Sequence, residues 1–232
     1  MRSTKENLDI LFEDNHLIII NKKVGDLVQG DKTKDLPLNE IVKAYIADKY
    51  NKPGKVFLGV IHRLDRPTSG IVMFAKTSKA LERMNKMLRE KTIIKTYWSL
   101  VEGKVNQPSG TLKHFLKKNP KNNKSTAFIK ENTDTKKAVL HYKTLVALDN
   151  YSLMEINLET GRHHQIRCQL SVTGYPIKGD LKYGSKRSNK DGGIYLHAKK
   201  IEFLHPVKKE ELVVEAPLPN DSLWLLCESK LK

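Results

Sequence analysis

Apolar residues occur along the chain in short runs that end at charged or turn-forming residues. Runs of this length that are rich in β-branched side chains are typical of strands. The pair Asp149-Asn150 separates two of these runs and predicts a β-hairpin. The predicted strands cover residues 17–21, 56–61, 71–75, 96–101, 139–148, 152–158, 194–196 and 212–216.

Apolar residues at helical spacing predict two amphipathic helices and one shorter helix. The first begins at Leu38, and the second follows an N-cap at Thr77 or Ser78. The third covers residues 163–172 and ends before Gly174, a residue that commonly terminates helices. The packing faces of the first two helices predict that both lie against a sheet.

The segment 117–125 is polar, basic and rich in turn formers, and we expect it to be an exposed loop. Strands outnumber helices, without regular β-α-β alternation and without an internal repeat. This pattern predicts an α+β fold with a mixed, largely antiparallel central β-sheet and flanking helices and loops. A length of 232 residues suits one continuous core, so we expect residues 1–232 to form a single domain.

The charge balance narrows the range of partners. The chain has 42 Lys and Arg residues against 26 Asp and Glu residues, a formal net charge of +16. Basic surfaces bind nucleic acid through its phosphates, largely without regard to sequence. Solubility alone is the alternative explanation. The charge therefore favours a nucleic-acid partner without distinguishing RNA from DNA.

Cysteine usage and hydropathy indicate the compartment. Cys168 and Cys227 are far apart and lack the spacing of zinc ligands or of a disulfide framework. The N-terminal residues are polar, and no apolar run is long enough to span a bilayer. We expect a cytoplasmic protein with no membrane association.

The densest group of reactive side chains lies in residues 62–70, His-Arg-Leu-Asp-Arg-Pro-Thr-Ser-Gly. Asp65 stands here between Arg63 and Arg66, whose cations favour its ionised form. Thr68 and the two residues after it supply turn chemistry that can hold the loop in one conformation. A surface ion-pair loop is the alternative, since exposed pairs are common and contribute little.

The stretch GVIHRLDRPTSGIVMFAK resembles the signature loop HRLDxxTSG of the RluA-type family of pseudouridine synthases. Other segments that resemble family motifs recur in the same order between residues 17 and 206. They are KTY at 95–97, TGRHHQIR at 160–167, GYPIKGD at 174–180, LHA at 196–198 and FLHP at 203–206.

The resemblance implies an RNA pseudouridine synthase that works without a cofactor or metal. Asp65 matches the catalytic aspartate, which attacks or deprotonates the ribose of the target uridine. Tyr97 matches the tyrosine that stacks on the uracil and can help remove the C5 proton. Arg167 matches the arginine that pairs with the catalytic carboxylate and keeps it ionised.

The resemblance also implies substrate contacts. Arg63 and Arg66, with His62 beside them, are placed to fill the space of a flipped nucleotide or to bind its phosphate. His164 contacts RNA or supports the protein turn in which it lies, and Leu196 forms an apolar wall against the uracil. His163 and His164 are not expected to bind metal, because neighbours on a helix point in different directions.

The sequence departs from the family pattern at three places. Lys23 replaces the usual proline of the early NKPxG motif, and His163 and Gln169 replace other family residues. The first change loosens a loop, and the other two concern RNA contacts. We also expect no N-terminal S4 domain, because little chain precedes residue 17.

We therefore expect a monomeric enzyme that acts on a stem-loop of ribosomal or transfer RNA. The alternative is a catalytically silent RNA-binding or RNA-chaperone protein on the same fold, since that class of protein explains the charge equally well. The presence of Asp65, Tyr97 and Arg167 favours the enzyme.

Overall fold

The computed structural model describes residues 2–31 and 33–231. They form two compact units. The first unit contains the chain up to Lys95 together with Ala198–Pro217, and the second contains Thr96–His197 together with the residues from Leu218 onward.

The first unit is built on strands in the order β1-β2-β4-β10, with β3 paired to β4 and β11 paired to β10. β2 and β4 are buried at almost every position, which explains why their sequences are continuous apolar runs rather than alternating ones. The strands are β1 (Ile10–Glu13), β2 (Leu17–Lys22), β3 (Gly59–Val60), β4 (Ser69–Ala75), β10 (Leu196–Leu204) and β11 (Glu211–Glu215).

Two helices cover this sheet, and both were predicted from apolar periodicity. Helix α1 (Leu38–Lys49) buries Leu38, Val42 and Ile46 in the same cluster as apolar residues of β2 and β4. Helix α2 (Ser78–Arg89) packs against β4. The Thr77 hydroxyl accepts a hydrogen bond from the backbone N–H of Ala80 at 3.2 Å, so the predicted cap is confirmed.

The second unit is an antiparallel sheet in the order β5-β9-β8-β6-β7. The predicted hairpin at Asp149-Asn150 is confirmed, because Leu148 N–H donates to the carbonyl of Tyr151 at 2.8 Å across that turn. The elements are β5 (Ile94–Glu102), β6 (Ser109–Asn119), β7 (Lys124–Phe128), β8 (Lys136–Ala147), β9 (Tyr151–Leu158), α3 (Gln165–Val172), a 3-10 turn at Leu181–Tyr183 and α4 (Ser222–Ser229).

The prediction of an exposed loop at 117–125 is wrong for most of that segment. β6 continues to Asn119 and β7 begins at Lys124, so only the connecting turn remains irregular. Beyond Leu116, where pairing with β8 ends, Lys117, Lys118 and Asn119 are all exposed, so neither face of β6 carries an apolar residue there. No alternation of apolar and polar residues therefore marked this end of the strand.

Other differences concern element ends. The predicted strand at 56–61 forms ladder bonds only at Gly59–Val60, and the one at 194–196 begins at Leu196 and continues to Leu204. Strands β1, β6 and β7 and helix α4 were not predicted from the sequence. Helix α4 is only eight residues long, and Asp221 caps it by accepting from Leu223 N at 3.0 Å.

The prediction of an α+β fold with a largely antiparallel sheet is confirmed. Every strand pair whose register is described is antiparallel, and helices accompany the sheet in each unit. Within the described residues, we find no helix with the length and apolar character needed to cross a lipid bilayer.

Gly70 allows two strands of the first unit to approach closely. Its φ is +103°, a value that residues other than glycine rarely adopt. A Cβ atom added there would lie 2.6 Å from the backbone nitrogen of Ala198 on β10. Both the backbone conformation and the space at this position therefore require glycine.

Replacing Gly70 by alanine should lower the free energy of unfolding by about 3 kcal/mol or more, since strain and a backbone clash add together. Gly25→Ala is the matched control, because Gly25 lies in the same unit at φ +89° with its nearest contacts at 3.9 Å. That control should lose only about 1–2 kcal/mol. Urea unfolding measures the free energy of unfolding of both variants. Equal losses would contradict the clash with the backbone of Ala198.

Candidate active site

Asp65 lies on the loop that connects β3 to β4 and is partly buried. The backbone N–H of Thr68 donates to the carbonyl of Asp65 at 3.0 Å, which closes a tight turn directly after the carboxylate. Thr68 and Ser69 are buried, so the loop enters β4 with its end fixed. The predicted turn chemistry of this segment is present, and it places Asp65 at the start of an ordered turn.

A buried lysine lies beneath this loop. Lys22, the last residue of β2, has no exposed surface, and its Nζ donates to the carbonyls of Arg66 at 3.2 Å and Thr68 at 2.7 Å. Burial lowers the pKa of Lys22 to about 8, while the carboxylates of Asp26 and Asp65 act in the opposite direction. Lys22 was not among the residues predicted from the sequence, although a charged residue at the end of an apolar run is a visible signal.

The two arginines of the loop differ in environment. Arg66 donates from Nη2 to Oδ2 of Asp35 at 2.6 Å, and Asp35 also pairs with Arg2 at 3.2 Å. Arg63 is exposed. Asp35 therefore orients Arg66, a partnership that the sequence analysis did not foresee because the two residues are 31 positions apart.

His62 is bound to the backbone of β4. Its Nε2 accepts a hydrogen bond from the N–H of Met73 at 3.3 Å, which requires that nitrogen to be unprotonated. Burial lowers the pKa of His62 to about 3, and the positive charge of Lys95 contributes in the same direction. The imidazole is therefore neutral at physiological pH, and one of its nitrogens is used within the fold.

In the second unit, Tyr97 is a buried residue of β5 and lies directly opposite Ile156 of β9. Side chains alternate along a strand, so Tyr97 shares its face with Ser99. The hydroxyl of Ser99 donates to the carbonyl of Tyr195 at 3.1 Å. Tyr97 thus stands on a rigid central strand whose neighbouring residues are fixed.

Arg167 and Asp180 form a bidentate ion pair within the second unit. Arg167 Nε donates to Oδ2 of Asp180 at 2.6 Å, and Nη2 donates to Oδ1 at 2.8 Å. The two side chains are only 6% and 1% exposed. Charge-assisted fork geometry of this kind fixes the guanidinium plane. Arg167 is the last residue of the TGRHHQIR segment and Asp180 the last residue of the GYPIKGD segment, so this ion pair joins two family-like segments.

Gln165 organises the turn that precedes α3. Its Oε1 accepts from the hydroxyl of Thr160 at 2.8 Å and from the N–H of Arg162 at 2.9 Å. Its Nε2 donates to the carbonyl of Val139 on β8 at 3.0 Å. The amide of one buried glutamine therefore joins the turn to the sheet.

The expectation that His163 and His164 point apart on a helix is wrong. Helix α3 begins only at Gln165, and His164 adopts a left-handed φ of 52°. Their rings stack with centroids 3.7 Å apart, and Nδ1 of His164 lies 2.9 Å from the hydroxyl of Tyr183. His164 is buried, which fits the support of the turn better than direct RNA contact.

Leu196 is the first residue of β10 and is buried, followed by the buried His197 of the LHA segment. The ring of His197 lies 6.2 Å from that of Trp224 on α4. The helix that the sequence analysis missed therefore supports this end of β10.

Comparison with known proteins identifies the family of these segments. A profile of the family described as RNA pseudouridylate synthase matches residues 16–172. The chain is 34% identical to the uncharacterized RNA pseudouridine synthase YlyB of Bacillus subtilis, over 95% of the chain and 72% of that protein. It is 33% identical to the ribosomal large subunit pseudouridine synthase C of Vibrio parahaemolyticus, over 91% of the chain and 66% of that protein.

Solved structures confirm the fold. Human RNA pseudouridylate synthase domain containing 4 superposes with a TM-score of 0.77 at 22% identity, covering 96% of the chain and 92% of that protein. Human RNA pseudouridylate synthase domain containing 1 gives a TM-score of 0.74 at 24% identity, covering 98% and 90%.

Replacing Asp180 by asparagine should lower the free energy of unfolding by about 3–5 kcal/mol, because it leaves the charge of Arg167 buried without its carboxylate. Asp134→Asn is the matched control in the same unit, since Asp134 forms an exposed pair with Lys117 at 3.3 Å. The control should change stability by less than about 1 kcal/mol. Urea unfolding measures both, and a small loss for Asp180→Asn would show that the buried pair is dispensable.

The low pKa of His62 predicts a pH dependence of stability. Its pKa of about 3 in the folded state lies below the unfolded value of about 6.5. Between these values the unfolded chain binds more protons, so stability should fall as the pH falls from 6.5 to 3. The variant His62→Gln should show a shallower fall, by at most about 1.4 kcal/mol per pH unit.

Chemical denaturation at several pH values tests this expectation. The variant His141→Gln, at an exposed histidine, is the control for the loss of one imidazole. Parallel curves for His62→Gln and the wild-type protein would rule out the neutral imidazole of His62 as a source of acid sensitivity.

Proposed function

Because the chain belongs to the RNA pseudouridylate synthase family, we propose that Asp65 is the carboxylate with which it isomerises uridine to pseudouridine in structured RNA. The protein is an RNA pseudouridine synthase, and hence an isomerase that acts on RNA. The assignment of Asp65 rests on its place in the HRLDRPTSG loop and on the ordered backbone around it.

The reaction exchanges one bond of the uracil for another. The carboxylate of Asp65 acts at the ribose while the bond between N1 and C1′ breaks. The uracil then rotates and bonds to C1′ through C5, the hydrogen of C5 leaves to solvent, and N1 carries a hydrogen in its place. These reaction steps require a carboxylate held in one orientation and a site that retains the free base.

The loop around Asp65 meets the first requirement. Its turn is closed by the hydrogen bond from Thr68, and the carbonyls of Arg66 and Thr68 are bound by Lys22. A preorganised backbone limits the directions in which the carboxylate of Asp65 can point. This fixed loop is the observation that carries the proposal.

Tyr97 and Arg167 complete the proposed catalytic set. The rigid strand beneath Tyr97 suits an aromatic platform on which the uracil stacks, and its phenol is the group proposed to assist removal of the C5 proton. Asp180 holds the guanidinium of Arg167 in a fixed plane. A guanidinium oriented in this way suits an arginine that keeps a catalytic carboxylate ionised.

RNA binding is proposed to rest on the basic surface of the chain, whose net charge is +16. The proposed substrate contacts are His62, Arg63, Arg66 and Leu196, whereas buried His164 is proposed to support the turn before α3. Relatives named for the ribosomal large subunit favour ribosomal RNA as the first substrate to test, with transfer RNA as the second. We propose further that the enzyme acts in the cytoplasm as a monomer.

Replacing Asp65 by asparagine should reduce pseudouridine formation by at least about 1,000-fold, because the amide keeps the shape of the side chain but cannot act as nucleophile or base. The assay uses ribosomal and transfer RNA from cells that lack the gene, labelled with tritium at uridine C5. Release of tritium reports the reaction, and mapping of the product locates the uridine.

Glu82→Gln is the matched control, since Glu82 is an exposed residue of α2 in the same unit and its replacement makes the same change in net charge. It should remain fully active. RNA binding by Asp65→Asn should stay within about twofold of the unmodified protein. An active Asp65→Asn variant would exclude Asp65 as the catalytic carboxylate. Tight RNA binding by the wild-type protein without formation of pseudouridine would support a catalytically silent RNA-binding protein.

A further inference from the structure

Lys22 is a charged residue in a place that usually excludes charge. It ends a strand whose preceding residues Leu17, Ile18, Ile19 and Ile20 are fully buried, and it is itself fully buried. Placing an ammonium group there is costly unless its hydrogen bonds are satisfied. A residue of this kind needs an explanation beyond packing, because an apolar side chain would fill the same space without that cost.

The contacts of Lys22 satisfy the ammonium group completely. It has three donors, and its Nζ lies within hydrogen-bond distance of three backbone carbonyls. Two of these belong to the loop, Arg66 at 3.2 Å and Thr68 at 2.7 Å. The third belongs to Lys23, directly after β2, at 2.9 Å. One side chain therefore joins a core strand to the loop at two points.

These two points lie one and three residues after Asp65. The carbonyl of Arg66 receives a second hydrogen bond, from the N–H of Gly25 at 3.0 Å, and Thr68 N–H donates back to Asp65 O at 3.0 Å. The peptide groups that determine the direction of the Asp65 side chain are thus held from the core side. Without Lys22, the two loop carbonyls and the carbonyl of Lys23 would each lose a hydrogen-bond donor.

The positive charge of Lys22 also interacts with Asp65. Asp26 and Asp65 favour its protonated form, whereas burial and Arg66 oppose it. The carboxylate of Asp26 is already hydrogen-bonded by the hydroxyl and the N–H of Ser3, at 2.6 and 3.0 Å. Lys22 therefore supplies positive charge near Asp65 as well as hydrogen bonds to its loop.

We propose that Lys22 is a positioning residue for the reaction: its buried ammonium group holds the backbone after Asp65 and thereby orients the catalytic carboxylate. The inference rests on the proposed role of Asp65. It assigns Lys22 no contact with RNA, so its removal affects the rate of the chemical step and not the affinity for substrate.

The test compares Lys22→Met with Lys23→Met. Methionine keeps most of the side-chain volume but provides no donor. Lys23 is the matched control, because it is the adjacent lysine and its Nζ binds the carbonyl and side-chain oxygens of Asn7, both at 3.1 Å, instead of the loop. The substrate is ribosomal RNA from cells lacking the gene, labelled with tritium at uridine C5, with enzyme in saturating excess.

Lys22→Met should react about 10- to 100-fold more slowly at saturation, the loss expected when a reactive group is misplaced by a fraction of an ångström to 1 Å. Its dissociation constant for the same RNA, measured by filter retention, should stay within about twofold. The single-turnover rate of Lys23→Met should stay within about twofold of the wild-type rate.

A saturating single-turnover rate distinguishes positioning from loss of folded protein. Unfolded enzyme lowers the effective concentration, whereas the rate constant at saturation belongs to the folded complex alone. If Lys22→Met does not accumulate as folded protein, Lys22→Gln decides by the same two measurements, because glutamine retains a polar group and cannot reach all three carbonyls.

The outcomes separate this inference from the proposed function. If Asp65→Asn is inactive while the Lys22 variant reacts at the rate of the unmodified enzyme, positioning by Lys22 is excluded and the role of Asp65 stands. If the Lys22 variant loses RNA affinity and keeps its rate, the inference is likewise overturned. Activity in Asp65→Asn would exclude the proposed function itself.

Discussion

The loop that carries Asp65 depends on the hydrogen bonds of one buried ammonium group. Loop carbonyls that turn inward from the surface need donors, since an unsatisfied buried carbonyl costs about 1–3 kcal/mol. Lys22 provides these donors for Arg66 and Thr68 from the end of a core strand. The backbone conformation of the loop is consequently tied to the most deeply buried part of the first unit.

The second unit uses the same principle with different groups. Arg167 is fixed by the carboxylate of Asp180, and the turn before α3 is fixed by the amide of Gln165. In both units, a buried polar side chain from a regular element or a distant turn holds a segment that carries reactive residues. Such fully satisfied networks are rigid, which suits a reaction in which the enzyme must hold a free base while it rotates.

Much of the fold followed from local patterns. The apolar runs of β2 and β4 and the periodicity of α1 and α2 were sufficient to predict these elements. Burial of both faces of a strand gives a continuous apolar run, and burial of one face of a helix gives a periodic one. Prediction failed where a strand end is exposed on both faces, as at Lys117–Asn119 of β6, and where an element is short, as in α4. There the stabilising contacts come from distant strands and leave little periodic signal in the segment itself.

The sequence by itself determined the fold class, because hydrophobic periodicity reflects burial, and its motifs predicted which residues form the proposed site. Only the tertiary structure decided which groups hold those residues. Lys22 reaches carbonyls 44 and 46 positions away, Asp35 pairs with Arg66 across 31 positions, and Asp180 pairs with Arg167 across 13. Partners at such separations are selected by the packing of whole strands and loops, and no local spacing along the chain encodes them.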